Sequence, residues 1–137
     1  RNLDVIFSEL SKQNIFLPGI ILKTSMVLPG IDTGVAVSNT EIAQNTIKCL
    51  KEKVPDTISG IVFLSGGQDD EEATKNLNAM HKLEHLPWLL TFSYGRAIQN
   101  GALQSWAKNP QDVKGAQKLL LQAAKNNSLA SVGKYES

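Results

Sequence analysis

Leu3, Ile6, Phe7 and Leu10 recur at the i, i+3, i+4, i+7 spacing of one helix face, and Asn14 followed by Pro18-Gly19 closes that helix. The period then changes. Ile20-Ile21-Leu22 is a short apolar run closed by Lys23, and residues 27–37, which include Pro29, Gly30 and Gly34, read as a loop. Ser38 with Glu41 is a capping-box pattern, in which the two residues satisfy orphan N–H groups at a helix start. It predicts a helix to about Lys53, with Ile42, Thr46, Ile47 and Leu50 inward and Pro55 beyond its end.

The same unit recurs twice. Gly60-Ile61-Val62-Phe63-Leu64 is a second apolar run, Ser65-Gly66-Gly67-Gln68 is the loop after it, and Asp69 with Glu72 marks a helix that turns Ala73, Leu77 and Met80 inward. Pro87 breaks the chain before a third run, Trp88-Leu89-Leu90-Thr91-Phe92. Ser93-Tyr94-Gly95-Arg96 and a helix carrying Ala97, Ile98, Leu103 and Trp106 follow. Asn109-Pro110 separates a last helix over about 112–127, and a small, polar tail runs to Ser137. None of the three runs alternates in and out, and continuous apolar strands belong to parallel sheets covered on both faces. The predicted class is α/β, with right-handed crossovers.

Composition narrows the function. With 137 residues, 42% of them hydrophobic and 20% charged, the chain can bury a core and is not a disordered segment. The net charge of +1, with Lys and Arg scattered, excludes the basic stripe of a nucleic-acid binder. The apolar runs fall far short of the ~20 residues needed to cross a bilayer, and the N-terminus carries no signal-peptide pattern. Cys49 is the only cysteine, which fits a reducing compartment. A soluble, cytoplasmic protein is expected, with no nucleic-acid or membrane partner. Arg1 is not an initiator methionine and a helical pattern begins almost at once, so the chain is expected to be cut from something longer.

Functional groups of α/β folds gather at the carboxyl ends of the strands. Lys23, Ser65-Gly66-Gly67 and Ser93-Tyr94-Gly95-Arg96 stand there. Behind three aliphatics, Lys23 would lose solvation, which favours the neutral amine that attacks carbonyls. Spacing alone favours a lysine whose stem lies on apolar surface while its head reaches water. Ser65-Gly66-Gly67 before a helix start suits an anion, because glycine lets the ligand approach backbone N–H groups closely. Most Gly-Gly pairs are merely turns, however. Gly95-Arg96 repeats the arrangement and adds a guanidinium that can hold phosphate bidentately. Arg96 alone reads as a surface ion-pair residue, and the two loops together are the stronger signal.

Other residues point to structure. His81 and His85 share a spacing of four, but no further ligand completes a zinc set. Cys49 reads as packing and Trp88 and Trp106 as core or edge anchors. The run Asp69-Asp70-Glu71-Glu72 reads as capping and helix-dipole complementation. No metal or cofactor is expected.

Phe63-Leu64-Ser65-Gly66-Gly67-Gln68, Glu71-Glu72-Ala73-Thr74, Asn76-Leu77-Asn78-Ala79-Met80 and Pro87-Trp88 together resemble class I fructose-bisphosphate aldolase. So do Thr91-Phe92-Ser93-Tyr94-Gly95-Arg96-Ala97, Asn127-Ser128-Leu129-Ala130 and Gly133-Lys134-Tyr135, in order along nearly the whole chain. The resemblance implies an eight-stranded β/α (TIM) barrel, of which residues 1–137 supply about the last three βα units and 128–137 the start of a C-terminal tail. It implies Lys23 as the Schiff-base lysine of a metal-independent glycolytic and gluconeogenic lyase that cleaves fructose 1,6-bisphosphate into dihydroxyacetone phosphate and glyceraldehyde 3-phosphate. Ser65, Gly66, Gly95 and Arg96 would bind a phosphate of the sugar substrate, with Leu64 and Ser93 lining the site, in a homotetramer.

Two departures are visible. Thr24-Ser25 stands where the family usually follows its lysine with Pro-Asn. The family's acid-base carboxylates, second active-site lysine and terminal tyrosine have no counterpart in these residues, Tyr135 matching an earlier tyrosine. These 137 residues alone are therefore expected to be inactive, with unpaired strand edges, bare apolar faces and a tendency to aggregate. A non-catalytic phosphate-binding or scaffolding protein of the same fold is the alternative from another class. A Schiff-base aldolase for another sugar phosphate fits the colinear resemblance less well.

Overall fold

The computed structural model describes residues 1–83 and 85–136, with Ile31 by its backbone; the last residue of the expected tail, Ser137, lies outside them. Three strands alternate with five helices among these residues: α1 (Asn2–Lys12), β1 (Ile21–Thr24), α2 (Asn39–Lys53), β2 (Gly60–Phe63), α3 (Asp70–Leu83), β3 (Leu89–Phe92), α4 (Arg96–Lys108) and α5 (Val113–Ala130). The strands form one parallel sheet in the order β1-β2-β3. The α/β reading holds, with differences at the ends. Lys23 lies inside β1 rather than after it, because the ladder continues to Thr24↔Phe63 and Leu64 N–H donates to Thr24 O at 3.0 Å. α5 runs past the expected Asn127 to Ala130.

Local chemistry places the helix starts. Ser38 Oγ accepts the Glu41 N–H at 3.2 Å, which forms half of the expected capping box at α2. At α3 both halves form: Glu72 N–H donates to Asp69 Oδ1 at 2.7 Å and Asp69 N–H to Glu72 Oε2 at 3.1 Å. Asp112 caps α5 through the Gly115 N–H at 3.0 Å. α1 ends as Asn14 takes a positive φ of 53°.

The strands are not covered on both faces. Leu22, Ile61 and Leu90 form one register row and Thr24, Phe63 and Phe92 another. Ile61, Phe63 and Leu90 from these rows join a core with Ile42, Ile47, Leu77 and Met80 of the helices. The intervening rows, Ile21–Gly60–Leu89 and Lys23–Val62–Thr91, face the other way, and Ile21 and Leu89 are 63% and 80% exposed. The described helices shield one side only, so β1 alternates in burial although its run does not alternate in sequence. Among the described residues β1 and β3 each have one unpaired edge.

Trp88 is a core anchor as expected, buried with its indole N–H donating to Pro55 O at 2.9 Å. Trp106 and Leu103 are not: both are exposed on α4, which buries only Ala97. α4 packs on α5, and α5 on α3, so the outer flank of the α4–α5 pair has no element against it among the described residues. No described helix is long and apolar enough to cross a membrane.

Candidate phosphate site and lysine at the strand ends

The loop after β2 is a tight turn. Gln68 N–H donates to Ser65 O at 3.2 Å, and Gly67 takes a φ of 82°, a conformation that side chains disfavour. Ser65 is buried, while Gly66 is partly exposed and Gly67 exposed. A Cβ added to Gly66 would lie 3.1 Å from Leu64 Cδ1 and 3.8 Å from Arg96 Nη2. The Arg96 guanidinium, carried by the first turn of α4, therefore stands beside Gly66. No carboxylate among the described residues pairs with it. The expected surface ion pair is not what holds Arg96.

Ser65, Gly67, Gln68 and Arg96 line a cleft of ≈ 630 Å³ together with Asp69, Asp70, Glu71 and Asn100. The carboxylates look hostile to an anion, yet most have other work. Asp69 and Glu72 cap α3, and Glu71 pairs with Lys75 at 2.7 Å. Burial, reinforced by the neighbouring Asp69 charge, raises the Asp70 carboxyl above its usual value.

Ser93 leaves β3 with its N–H bound to Phe63 O at 2.8 Å, which keeps the third loop beside the second. Tyr94 points back into the core, its hydroxyl donating to Ala73 O at 3.0 Å, and burial raises its phenol above the usual range. Gly95 caps α4 with φ −91°, and a Cβ there would meet nothing within 4 Å. Neither a left-handed backbone nor crowding within these residues demands glycine at 95.

Lys23 occupies one of the two rows of the open sheet face, in register with Val62 and Thr91. It is exposed, so the desolvation expected from its aliphatic neighbours is not supplied by this chain. Leu22 and Thr24 turn to the helix side, which leaves Lys23 alone among its immediate neighbours on the open side. Thr24 Oγ1 donates to Ser25 O at 3.3 Å, and Val27 N–H to Thr46 Oγ1 at 2.9 Å, which ties the following loop to α2.

Sequence reasoning missed Asn76. Its side chain is 1% exposed and joins Gln68 of the turn to Asn39 of α2. The available signal was a polar residue between the inward positions Ala73, Leu77 and Met80 of α3. His81 Nε2 lies 3.1 Å from Leu90 O.

Comparison with known proteins bears on the sequence and the fold as a whole. The family model described as fructose-bisphosphate aldolase class-I matches residues 1–137. The chain is 50% identical over 135 residues to a Xylella fastidiosa protein named "Probable fructose-bisphosphate aldolase class 1", covering 96% of this chain and 40% of that protein. It is 48% identical over 130 residues to the Pisum sativum chloroplastic fructose-bisphosphate aldolase 2, covering 95% of this chain and 37% of that protein. A solved fructose-bisphosphate aldolase from Plasmodium falciparum, in complex with TRAP and a small-molecule inhibitor, superposes with a TM-score of 0.93 at 41% identity. That match covers 98% of this chain and 39% of the other. The chain thus spans about 40% of the length of the curated relatives it matches. On its sequence along its whole length and on its fold, it belongs to the class-I fructose-bisphosphate aldolase family.

Proposed function

We propose that these residues carry the nucleophile and one phosphate cradle of a Schiff-base lyase that cleaves fructose 1,6-bisphosphate reversibly into dihydroxyacetone phosphate and glyceraldehyde 3-phosphate. The observation that carries the reading is the Arg96 guanidinium, unpaired among the described residues, beside Gly66 and the buried Ser65 at the carboxyl end of a parallel sheet. A phosphate there would take a bidentate pair from Arg96 and N–H donation from the Ser65-Gly66-Gly67 turn.

In this reading the Lys23 amine adds to the ketose carbonyl, water leaves, and a protonated imine forms. The bond between the third and fourth carbons then breaks, its electron pair flowing into the imine to give an enamine, while the fourth-carbon hydroxyl loses its proton and departs as the aldehyde. Protonation of the enamine and hydrolysis return the amine and release dihydroxyacetone phosphate. Anchoring the phosphate holds the carbonyl near the amine, which converts an encounter into a positioned reaction. The three strands belong to an eight-stranded barrel, whose closure would turn the open face carrying Lys23 into an interior. The assembly is a homotetramer by family resemblance.

The test is borohydride trapping with dihydroxyacetone phosphate, using protein expressed from the complete coding sequence. Covalent label on Lys23, lost in Lys23→Met together with cleavage activity, is the expected result. Label on another residue, or none, overturns the assignment.

A further inference from the structure

Three carboxamides from three different elements form one chain. Asn39 Nδ2 donates to Asn76 Oδ1 at 2.6 Å, and Asn76 Nδ2 donates to Gln68 Oε1 at 2.8 Å. Asn39 is the first residue of α2, directly after the loop that follows Lys23; Asn76 is buried in α3; Gln68 closes the Ser65-Gly66-Gly67 turn. Both polar atoms of the middle member are engaged. In this arrangement Gln68 presents its oxygen to Asn76, and Gln68 Nε2 is buried without an acceptor among the described residues. Such a donor is unfavourable to bury, so the bond from Asn76 is the one side-chain hydrogen bond that holds this amide among the described residues.

We infer that the Asn39–Asn76–Gln68 relay is a positioning device for the phosphate turn, with Asn76 acting on the ligand only through Gln68. Gln68 N–H bonds back to Ser65 O, so a fixed Gln68 fixes the turn between them, where Gly67 already holds a left-handed conformation. That turn sets where the Gly66 backbone stands relative to Arg96. The relay also ties the far end of the loop after Lys23 to the phosphate turn. Neither glycine has a side chain with which to hold this geometry. A buried amide network supplies the rigidity that the glycines lack.

This inference rests on the phosphate-site reading, and the experiment separates the two. Protein from the complete coding sequence is titrated calorimetrically with inorganic phosphate and assayed with fructose 1,6-bisphosphate, as wild type, Asn76→Leu, Gln68→Met and the double variant. Asn76→Leu should weaken phosphate binding and raise KM roughly five- to tenfold, with kcat within about twofold of wild type. Gln68→Met should weaken phosphate binding to a similar extent. The double variant should be no weaker than the worse single, since both changes break one connection. Effects that multiply, a Gln68→Met protein with wild-type phosphate affinity, or a fall in kcat with KM unchanged overturns the relay. Should Asn76→Leu fail to fold, Gln68→Met at its more exposed site still decides through phosphate affinity. A wild type that binds phosphate but does not cleave the sugar sinks the aldolase reading and leaves the relay standing; a wild type that binds no phosphate sinks both.

Discussion

Asn78 grips the backbone of Tyr135 from both sides. Its Nδ2 donates to Tyr135 O at 3.0 Å, and its Oδ1 accepts the Tyr135 N–H at 3.0 Å, so one side chain does for the segment after α5 what a neighbouring strand would do. Gly133, with a φ of 70°, lies against His81 one turn further along α3, and Tyr135 reaches the groove lined by Asp70 and Thr74. The segment after α5 therefore runs back along α3 toward the phosphate cleft.

Asn78→Leu should release this segment, at a cost of about 1–3 kcal/mol, because two backbone groups lose their partners. The Tyr135 amide should lose hydrogen-exchange protection while β2 amides keep theirs. Unchanged protection at Tyr135 would show that the clamp contributes nothing.

The two glycines of the phosphate turn should respond differently. Gly67→Ala forces a side chain into φ 82° and should destabilise by about 1–2 kcal/mol. Gly66→Ala meets only the flexible end of Leu64 at 3.1 Å, so stability should change by less than about 1 kcal/mol while phosphate affinity falls. Urea denaturation and phosphate titration of the two variants distinguish them; equal loss of stability contradicts the turn geometry.

His81 should make stability depend on pH. Burial holds its imidazole below the usual range, opposed in part by the bond to Leu90 O. The unfolded chain therefore binds more protons below about pH 6.5, so stability is fully present above that value and falls as pH drops through the lower folded value. His81→Gln, which retains a donor without a titrating ring, should flatten the decline in thermal midpoint between about pH 7 and 5. Parallel curves for the two proteins would rule His81 out as its source.

The capping pair offers a local test. Asp69→Ala removes the acceptor for the Glu72 N–H and should cost about 0.5–2 kcal/mol. Loss should appear as fraying at the start of α3, read from exchange at Glu72 and Ala73, with the α2 start unaffected.

Much of this molecule was legible in the order of its residues. The helix starts at Ser38 and Asp69, the glycine-bearing turn at 65–68 and the strands within the second and third apolar runs stand where the sequence pattern and capping put them. These features are decided within a few residues of chain, by backbone groups that must find a partner nearby. What covers each face was not legible. Ile21 and Leu89 read as buried and are exposed, Trp106 reads as an anchor and faces outward, and Lys23 sits within its strand on the open side of the sheet. Asn76 gave no local sign of joining the turn at Gln68 to the start of α2, because its partners lie 37 and 8 residues away. Hydrogen-bond demand along the chain is local and leaves a pattern; burial and side-chain partnership are set by elements that meet only in the folded chain.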